Sequence, residues 1–192
     1  NWDKLITNGV EVYLPKGADA EEQKRANELA ALASEAKSFA ANLLGTAPDM
    51  PLRLVSVERG AGFSNGGTIL IDESTFKRQK IDSQTATTIA ESVVRMWIGG
   101  KIQIDGEANG VLREGFPRYL ATQFIEQKYG KEIADIERLR QRTAYAAIVK
   151  RDAPLTIVSP LDDYFYSAVT NKGAMIWRIL SKKVGQDEFF KA

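Results

Sequence analysis

The chain of 192 residues contains neither histidine nor cysteine. Without histidine it lacks the commonest protein metal ligand and the usual general base of hydrolases. Without cysteine it lacks disulfides, thiolate nucleophiles and thiolate metal sites. Every catalytic arrangement of the Ser-His-Asp or Cys-His type is therefore excluded.

The chain also lacks a marked excess of charge of either sign, and it lacks long apolar runs. The formal net charge is +1, which argues against the concentrated basic face that a nucleic-acid partner requires. No run approaches eighteen apolar residues, so we expect no transmembrane segment, and no signal peptide is visible. The chain begins at Asn1 rather than Met, and we expect it to be a piece of a larger protein whose other domains are among its partners.

The first half of the sequence predicts a small sheet and one long helix. Alternation predicts a strand over Val10–Leu14, and β-rich composition predicts strands over Pro51–Val57 and Thr68–Asp72. A capping box of Asp19 and Glu22 predicts the start of an Ala-rich helix that runs to about Leu44. The glycine-rich stretch 60–67 is predicted to be a loop.

The second half predicts helices only. Apolar residues at helical spacing predict a helix that ends at Ile98, before two glycines. Further helices are predicted over about Val111–Tyr129, Lys131–Lys150 and Leu161–Val184. This segregation of elements predicts an α+β fold, with an α/β lobe over residues 1–80 followed by a helical lobe over residues 81–192.

Four segments carry a pattern that is more specific than their secondary structure. Eighteen residues separate Arg95 in the second segment from Glu114 in the third. In chain order the segments are Gly62–Ile69 (GFSNGGTI), Glu91–Gly99 (ESVVRMWIG), Leu112–Leu120 (LREGFPRYL) and Thr170–Ala174 (TNKGA). In order and spacing they resemble G-A-M-E-N-x-G, H-E-x-x-H-x-W-F-G, L-N-E-G-F and Y-x-K-G-A of the aminopeptidase-N-like gluzincins. These zinc peptidases have a thermolysin-like catalytic domain, and the resemblance extends over the whole chain.

The resemblance implies that the zinc chemistry has been lost. Glu91 and Arg95 stand where the family has its two zinc-binding histidines, and Ser92 stands where it has the general base. Glu114 matches the third zinc ligand. A guanidinium has no acceptor with which to bind a metal, and a serine hydroxyl does not take a proton from water near neutral pH as a carboxylate does.

Two further family positions are replaced. Ser64 takes the place of the glutamate that holds the substrate's amino terminus, and Thr170 takes the place of the tyrosine that stabilises the oxyanion. Asn65 and Gly67 match the family. Together with Thr68 and Tyr166, they are predicted to line the remaining cleft, where Tyr166 lies one helical turn before Thr170.

These replacements predict a catalytically inactive domain without a cofactor, used as a scaffold or as a peptide- or protein-binding module. An extended peptide would add to the predicted edge strand over Gly67–Asp72. Arg95 is predicted to lie between Glu91 and Glu114 and to take over the structural role of zinc. The family's habit favours an extracytoplasmic location.

Three alternatives remain open at this stage. Glu91 and Arg95, four residues apart on a helix, are also typical of an ordinary surface ion pair. Glu91 and Glu114 would allow a hydrolase with a rearranged, histidine-free site for a hard cation. The domain would instead be purely architectural if side chains fill the old cleft.

Overall fold

A computed structural model of the chain describes residues 2–106 and 109–191. These residues form two compact units, Asn1–Lys101 and Ile102–Ala192. Among the described residues, the strands and three helices lie in the first unit, and the second unit contains helical elements, as expected for an α+β fold. No helix in the described ranges is both long and apolar enough to cross a membrane.

The first unit is built on a five-stranded sheet. Its strands follow the order β1-β2-β3-β5-β4 across the sheet. The central strands β2, β3 and β5 are parallel, while β1 and β4 pair antiparallel at the two edges. The strands span Trp2–Thr7 (β1), Val10–Pro15 (β2), Leu52–Val57 (β3), Ser64–Asn65 (β4) and Thr68–Asp72 (β5).

Strict alternation of side chains gives the sheet one buried face. Every second residue of the central strands is buried, and these residues are Val10, Val12, Leu14, Leu52, Leu54, Ser56, Ile69 and Ile71. The long helix α1 (Ala20–Leu44) packs against β2, and α3 (Ser83–Val94) packs on α1. Because α3 packs on α1, it belongs to the first unit, and the boundary between the two units falls after Lys101.

The helix ends of the first unit follow local rules. The predicted capping box of α1 is confirmed, since the Asp19 side chain accepts from Glu22 N and Glu22 returns a bond to Asp19 N. The prediction that α3 runs to Ile98 is wrong by one turn. The helix ends at Val94 and the chain tightens, because Trp97 N donates to Val94 O, three residues back, at 3.0 Å.

The second unit is made of helical elements. Its α-helices are α4 (Phe116–Tyr129), α5 (Lys131–Ala146), α6 (Gly173–Val184) and the short α7 (Gln186–Phe189). A π-helical turn over Val111–Gly115 leads directly into α4, and another over Ser167–Lys172 leads directly into α6. A short helix, α2 (Glu73–Phe76), in the first unit and a 3₁₀ turn at Val149–Arg151 complete the described helical elements.

Candidate functional site

Glu91 and Arg95, the two positions that the family resemblance matches to zinc-binding histidines, form an ion pair. Arg95, the residue that caps α3, donates from Nη2 to Oε1 of Glu91, one turn earlier. The Glu91 side chain is 4% exposed and the Arg95 side chain 24% exposed. The pair is therefore largely withdrawn from water, unlike the ordinary surface pair that the spacing alone allows.

The residues on α3 do not fit a zinc ion. Arg95 carries a fixed positive charge, and its nitrogens have no lone pair for a metal. Ser92, which is predicted to stand at the position of the general base, is buried, and its Oγ has no hydrogen-bond partner within the part of the chain that the structure describes. The described residues also contain no group of three or more carboxylates that could hold a metal ion.

A tight hairpin forms the other part of the candidate site in the first unit. Asn65 and Thr68 are paired across a two-residue turn, in which Gly66 has φ +53° and Gly67 has φ +78°. Two successive positive φ values are the signature of a type I′ turn, which matches the twist of the strands it joins. A side chain at Gly67 would also collide with the carbonyl oxygen of Pro51, at 2.3 Å from an added Cβ.

A β-bulge fixes the register of this hairpin. Gly62, with φ +89°, donates its N–H to the carbonyl oxygen of Leu70 at 2.9 Å, and Leu70 N donates to Phe63 O at 2.9 Å. Gly62 and Phe63 on one strand thus lie opposite the single residue Leu70 on the other, and the first of the two is a glycine in the left-handed conformation. The stretch predicted to be a glycine-rich loop therefore contains a bulge, a strand and a turn.

The hairpin corrects the predicted edge of the sheet. The sequence predicts that the strand over Gly67–Asp72 is the edge, but β5 (Thr68–Asp72) lies between β3 and β4. Leu70 already uses its outward backbone groups in the bulge, and Thr68 pairs with Asn65. The accessible edge on this side is consequently β4, which the sequence pattern hides because it is only two residues long.

Ser64 presents the free backbone groups of that edge. Antiparallel pairs alternate between hydrogen-bonded and non-hydrogen-bonded positions. Asn65 closes the turn as a bonded partner of Thr68, so Ser64, opposite Ile69, occupies a non-bonded position. Its N–H and C=O therefore point away from β5, toward any strand that would be added to the sheet.

A cavity of about 240 Å³ lies beside the bulge, within the first unit. Gly62 and the strand β5 form one wall, and the first turns of α3 form another. Polar side chains dominate the lining on the helical side, where they are Thr75, Arg78, Asp82, Gln84, Thr85 and Thr88. Sequence reasoning missed these residues, although the polar positions Gln84 and Thr88, four residues apart at the start of α3, indicate a solvated helix face.

In the second unit, the structure brings together the third and fourth predicted segments. Glu114 lies in the first π-helical turn and Thr170 in the second. The two segments cross at Gly115, the last residue of the first turn, and at Gly173, which follows the second turn. A Cβ added to Gly115 would lie 2.7 Å from Val169 O, and one added to Gly173 would lie 3.1 Å from the Gly115 Cα. Both segments therefore need glycine at this point, because their backbones touch.

Lys172 holds the second π-helical turn in place. Its Nζ donates to both carboxylate oxygens of Asp152, at 2.7 and 2.8 Å, and to the carbonyl oxygen of Ala153. The hydrogen bond from Lys172 lowers the pKa of the Asp152 carboxyl. Thr170 is buried, whereas the Tyr166 side chain is exposed, with its ring packed edge-on against Phe165.

The predicted site residues thus form separate groups within each unit. Glu91, Ser92 and Arg95 share α3, while Ser64, Asn65, Gly67 and Thr68 form the hairpin. Glu114 and Thr170 share the crossing turns of the second unit. That Arg95 also reaches Glu114 stays a prediction, as do the assigned roles of the cleft residues.

Of the comparisons with known proteins, the one with solved structures gives matches. No family model and no curated protein matches the chain. The crystal structure of an M1 zinc metallopeptidase from Deinococcus radiodurans matches with a TM-score of 0.62 and 15% identity, over 95% of this chain and 39% of that chain. Two-domain M1 zinc metallopeptidase mutants bound to L-tryptophan and to L-arginine match with TM-scores of 0.61 and 0.62, at 17% and 15% identity.

The last two matches cover 98% and 100% of this chain and 41% and 42% of theirs. The chain therefore spans about two-fifths of the structures it matches. At such low identity the likeness concerns the fold and not the activity. The predicted resemblance to zinc peptidases is confirmed at that level: the chain has a mixed α+β, peptidase-like fold similar to that of the M1 zinc metallopeptidases.

Proposed function

We propose that the chain is a degenerate gluzincin domain with a thermolysin-like fold, catalytically inactive and used to bind an extended peptide or protein segment. The observation that carries this proposal is the Glu91–Arg95 ion pair on α3. It occupies the two helix positions from which the family holds its zinc.

The ion pair disfavours a metal for a simple electrostatic reason. A divalent cation bound to Glu91 would have to displace the guanidinium of Arg95 and would then stand beside a second positive charge. Glu91 is nearly fully buried, so the repulsion would be weakly screened. Without a Lewis acid, with Ser92 in place of a carboxylate base and with the Glu91 carboxylate bound by Arg95, α3 offers no group to activate water.

Peptide binding is supported by the free edge of β4. The outward N–H and C=O of Ser64 match the pattern that an added strand requires. The neighbouring cavity of about 240 Å³ would take a side chain of that strand. Because Ser64 replaces the glutamate that holds a free amino terminus, we propose that internal segments bind as well as chain ends do.

The inactive state is tested by metal analysis and by hydrolysis. The purified protein, incubated with Zn²⁺ and desalted, is expected to retain less than about a tenth of an equivalent of metal. We expect no turnover of a panel of aminoacyl-coumarin amides or of fluorogenic casein. Stoichiometric metal, or turnover that a chelator suppresses, would instead favour the alternative of a metallopeptidase with a rearranged oxygen-ligand site.

Peptide binding is tested with an immobilised library of random hexapeptides. Ser64→Pro removes the outward N–H without touching the bonds between β4 and β5, because the Ser64 N–H does not face β5. We expect this variant to lose about tenfold in affinity for every selected peptide, corresponding to one hydrogen bond of about 1.4 kcal/mol. Exposed Ser38 on α1, changed to alanine, is the control for nonspecific effects.

Failure to select any peptide would favour a purely architectural domain. If peptides are selected but bind the Ser64→Pro variant with unchanged affinity, the binding surface lies elsewhere. Either result rejects strand addition at β4, and the metal and hydrolysis assays still decide separately whether the domain is inactive.

A further inference from the structure

The cavity beside the bulge is lined by both apolar and polar side chains. Its volume of about 240 Å³ is smaller than that of most small-molecule sites, so it accommodates one side chain or a ligand of similar size. The apolar part of the lining contains three isoleucines that are at most 6% exposed, namely Ile69, Ile71 and Ile89. Helices α2 and α3 and the segment between them supply most of the polar part. A matching ligand therefore combines an aliphatic chain with a polar end.

Two oxygen atoms in the polar part of the lining are available to a ligand. Thr75 is 7% exposed, and its hydroxyl makes no hydrogen bond to any other residue within 2–106 and 109–191. Asp72 accepts from Oγ and N of Ser74 through Oδ1, which leaves Oδ2 without a partner in the described part of the chain. These hydrogen bonds from Ser74 lower the pKa of Asp72, so its carboxylate is ionised at neutral pH. Both oxygens can accept from a ligand that carries N–H donors.

The charges around the cavity favour a cation over an anion. Arg78 Nη1 donates to Asp82 Oδ2 at 3.0 Å, so these two opposite charges balance each other. Asp72 is the remaining charged residue of the lining, and no ion pair among the described residues balances it. An anion in the cavity would face two carboxylates, whereas a cation would neutralise that of Asp72.

Arg25 fixes the part of the lining that carries Arg78. Arg25 lies on α1, is 5% exposed, and donates from Nε to the carbonyl oxygen of Arg78 at 2.9 Å. Its Nη2 donates to the carbonyl oxygen of Gln79. Two bonds from one planar guanidinium thus hold the segment between α2 and α3 against the long helix. The lining is therefore fixed by the fold itself, independently of a ligand.

We infer that this cavity binds a primary ammonium group at the end of an aliphatic chain, such as a lysine side chain. The aliphatic chain would pack on the isoleucines, and the ammonium would donate to Asp72 Oδ2 and to the Thr75 hydroxyl. An ammonium has three N–H donors and no acceptor, which matches two oxygens that lack a donor. Binding of a small amine does not depend on the proposed peptide binding, whereas the assignment of the amine to a lysine of a bound segment rests on it.

The first test is a titration of the whole chain with n-butylammonium at constant ionic strength, followed by the δ1-methyl NMR signals of the three isoleucines. We expect saturable binding with a dissociation constant in the millimolar range, which is ordinary for so small a ligand. Butyrate, which has the same chain and the opposite charge, should cause no saturable shifts. No saturation up to about 50 mM butylammonium, or equal binding of butyrate, would overturn the inference.

Asp72→Asn tests the carboxylate while keeping the cap of α2, because asparagine is an equally good N-cap. We expect butylammonium to bind this variant about tenfold more weakly, the effect of losing one charge-assisted hydrogen bond. Asp49→Asn removes the same charge from an exposed position in the first unit and should leave the affinity unchanged. Equal weakening by the two variants would reject a built site and leave only diffuse attraction by surface charge.

Thr75→Val keeps the test decisive if Asp72→Asn fails to fold. Valine has nearly the shape of threonine but lacks the hydroxyl, so we expect butylammonium to bind at least about threefold more weakly. Unchanged affinity would show that the hydroxyl does not bind the ammonium and would overturn the inference.

Hexapeptides selected on the protein distinguish a lysine side chain from a free amine as the ligand. We expect lysine to be enriched, and its replacement by norleucine to weaken binding by about tenfold. Ser64→Pro should weaken the binding of these peptides but not that of butylammonium. If butylammonium binds and no peptide is selected, the cavity is a site for a free amine, and only strand addition at β4 is rejected. If peptides are selected without a preference for lysine and butylammonium does not bind, the inference fails while strand addition stands.

Discussion

Replacing Arg95 by methionine removes the guanidinium that pairs with Glu91 while keeping a long apolar stem at the end of α3. The Glu91 side chain is 4% exposed and the Arg95 side chain 24% exposed, so the broken pair is largely buried. Breaking a buried ion pair from one side costs about 3–5 kcal/mol. Partial exposure of Arg95 places the expected cost near the lower limit, about 3 kcal/mol, which lowers the melting temperature of a domain this size by roughly 6–12 °C.

A matched control lies in the same unit. Arg78 and Asp82 are also four residues apart, but their side chains are 48% and 47% exposed. Arg78→Met should therefore cost about 0.2–1 kcal/mol. Urea unfolding, followed by circular dichroism and by the fluorescence of the buried Trp97, measures both variants.

A double-mutant cycle separates the ion pair from packing. Adding Glu91→Gln to Arg95→Met removes the carboxylate charge that has lost the Arg95 guanidinium, so the double variant should be more stable than Arg95→Met alone. If Arg95→Met costs no more than Arg78→Met, the pair does not stabilise α3. The idea that the guanidinium has taken over the structural role of zinc would then be wrong.

Gly115→Ala should destabilise the protein by about 3 kcal/mol, because the new Cβ would lie 2.7 Å from the backbone oxygen of Val169, where neither chain can easily yield. Gly185→Ala, where an added Cβ meets nothing within 4 Å, should cost only the strain of φ +95°, about 1 kcal/mol; equal costs in thermal unfolding would contradict the steric argument. The pKa of Glu11 is lowered to about 2, chiefly by the hydrogen bond from Lys4, so its contribution to stability is present above about pH 4.5 and is lost as the pH falls toward 2. Lys4→Met should move the pKa of Glu11 back toward 4.5 in an NMR titration, and an unchanged value would show that Lys4 is not the main cause.

The buried face of the sheet and the long helix follow from local sequence physics. Alternation identifies β2 directly, and the capping box marks the start of α1 within a single turn. The sequence pattern does not predict the edge strands β1 and β4, and the reason differs between the two. Strand β1 has no buried residue and its sequence WDKLIT carries no alternation of apolar and polar residues, while β4 is too short to show any pattern.

The candidate site could be predicted only in part. Spacing places Glu91 and Arg95 on one helix face, but it does not predict that the pair is buried, because the same spacing is typical of exposed pairs. Similarly, the touching glycines of the π-helical crossing come from segments more than fifty residues apart.

The bulged hairpin also determines where the chain tolerates changes in length. Residues ahead of Gly62 could be added without altering the sheet, since the ladder begins there. Between Gly62 and Thr68, however, inserting or deleting a single residue would turn Ser64 onto the opposite side of the ladder. Natural variants of this domain should therefore differ in length before the bulge and keep the spacing after it unchanged.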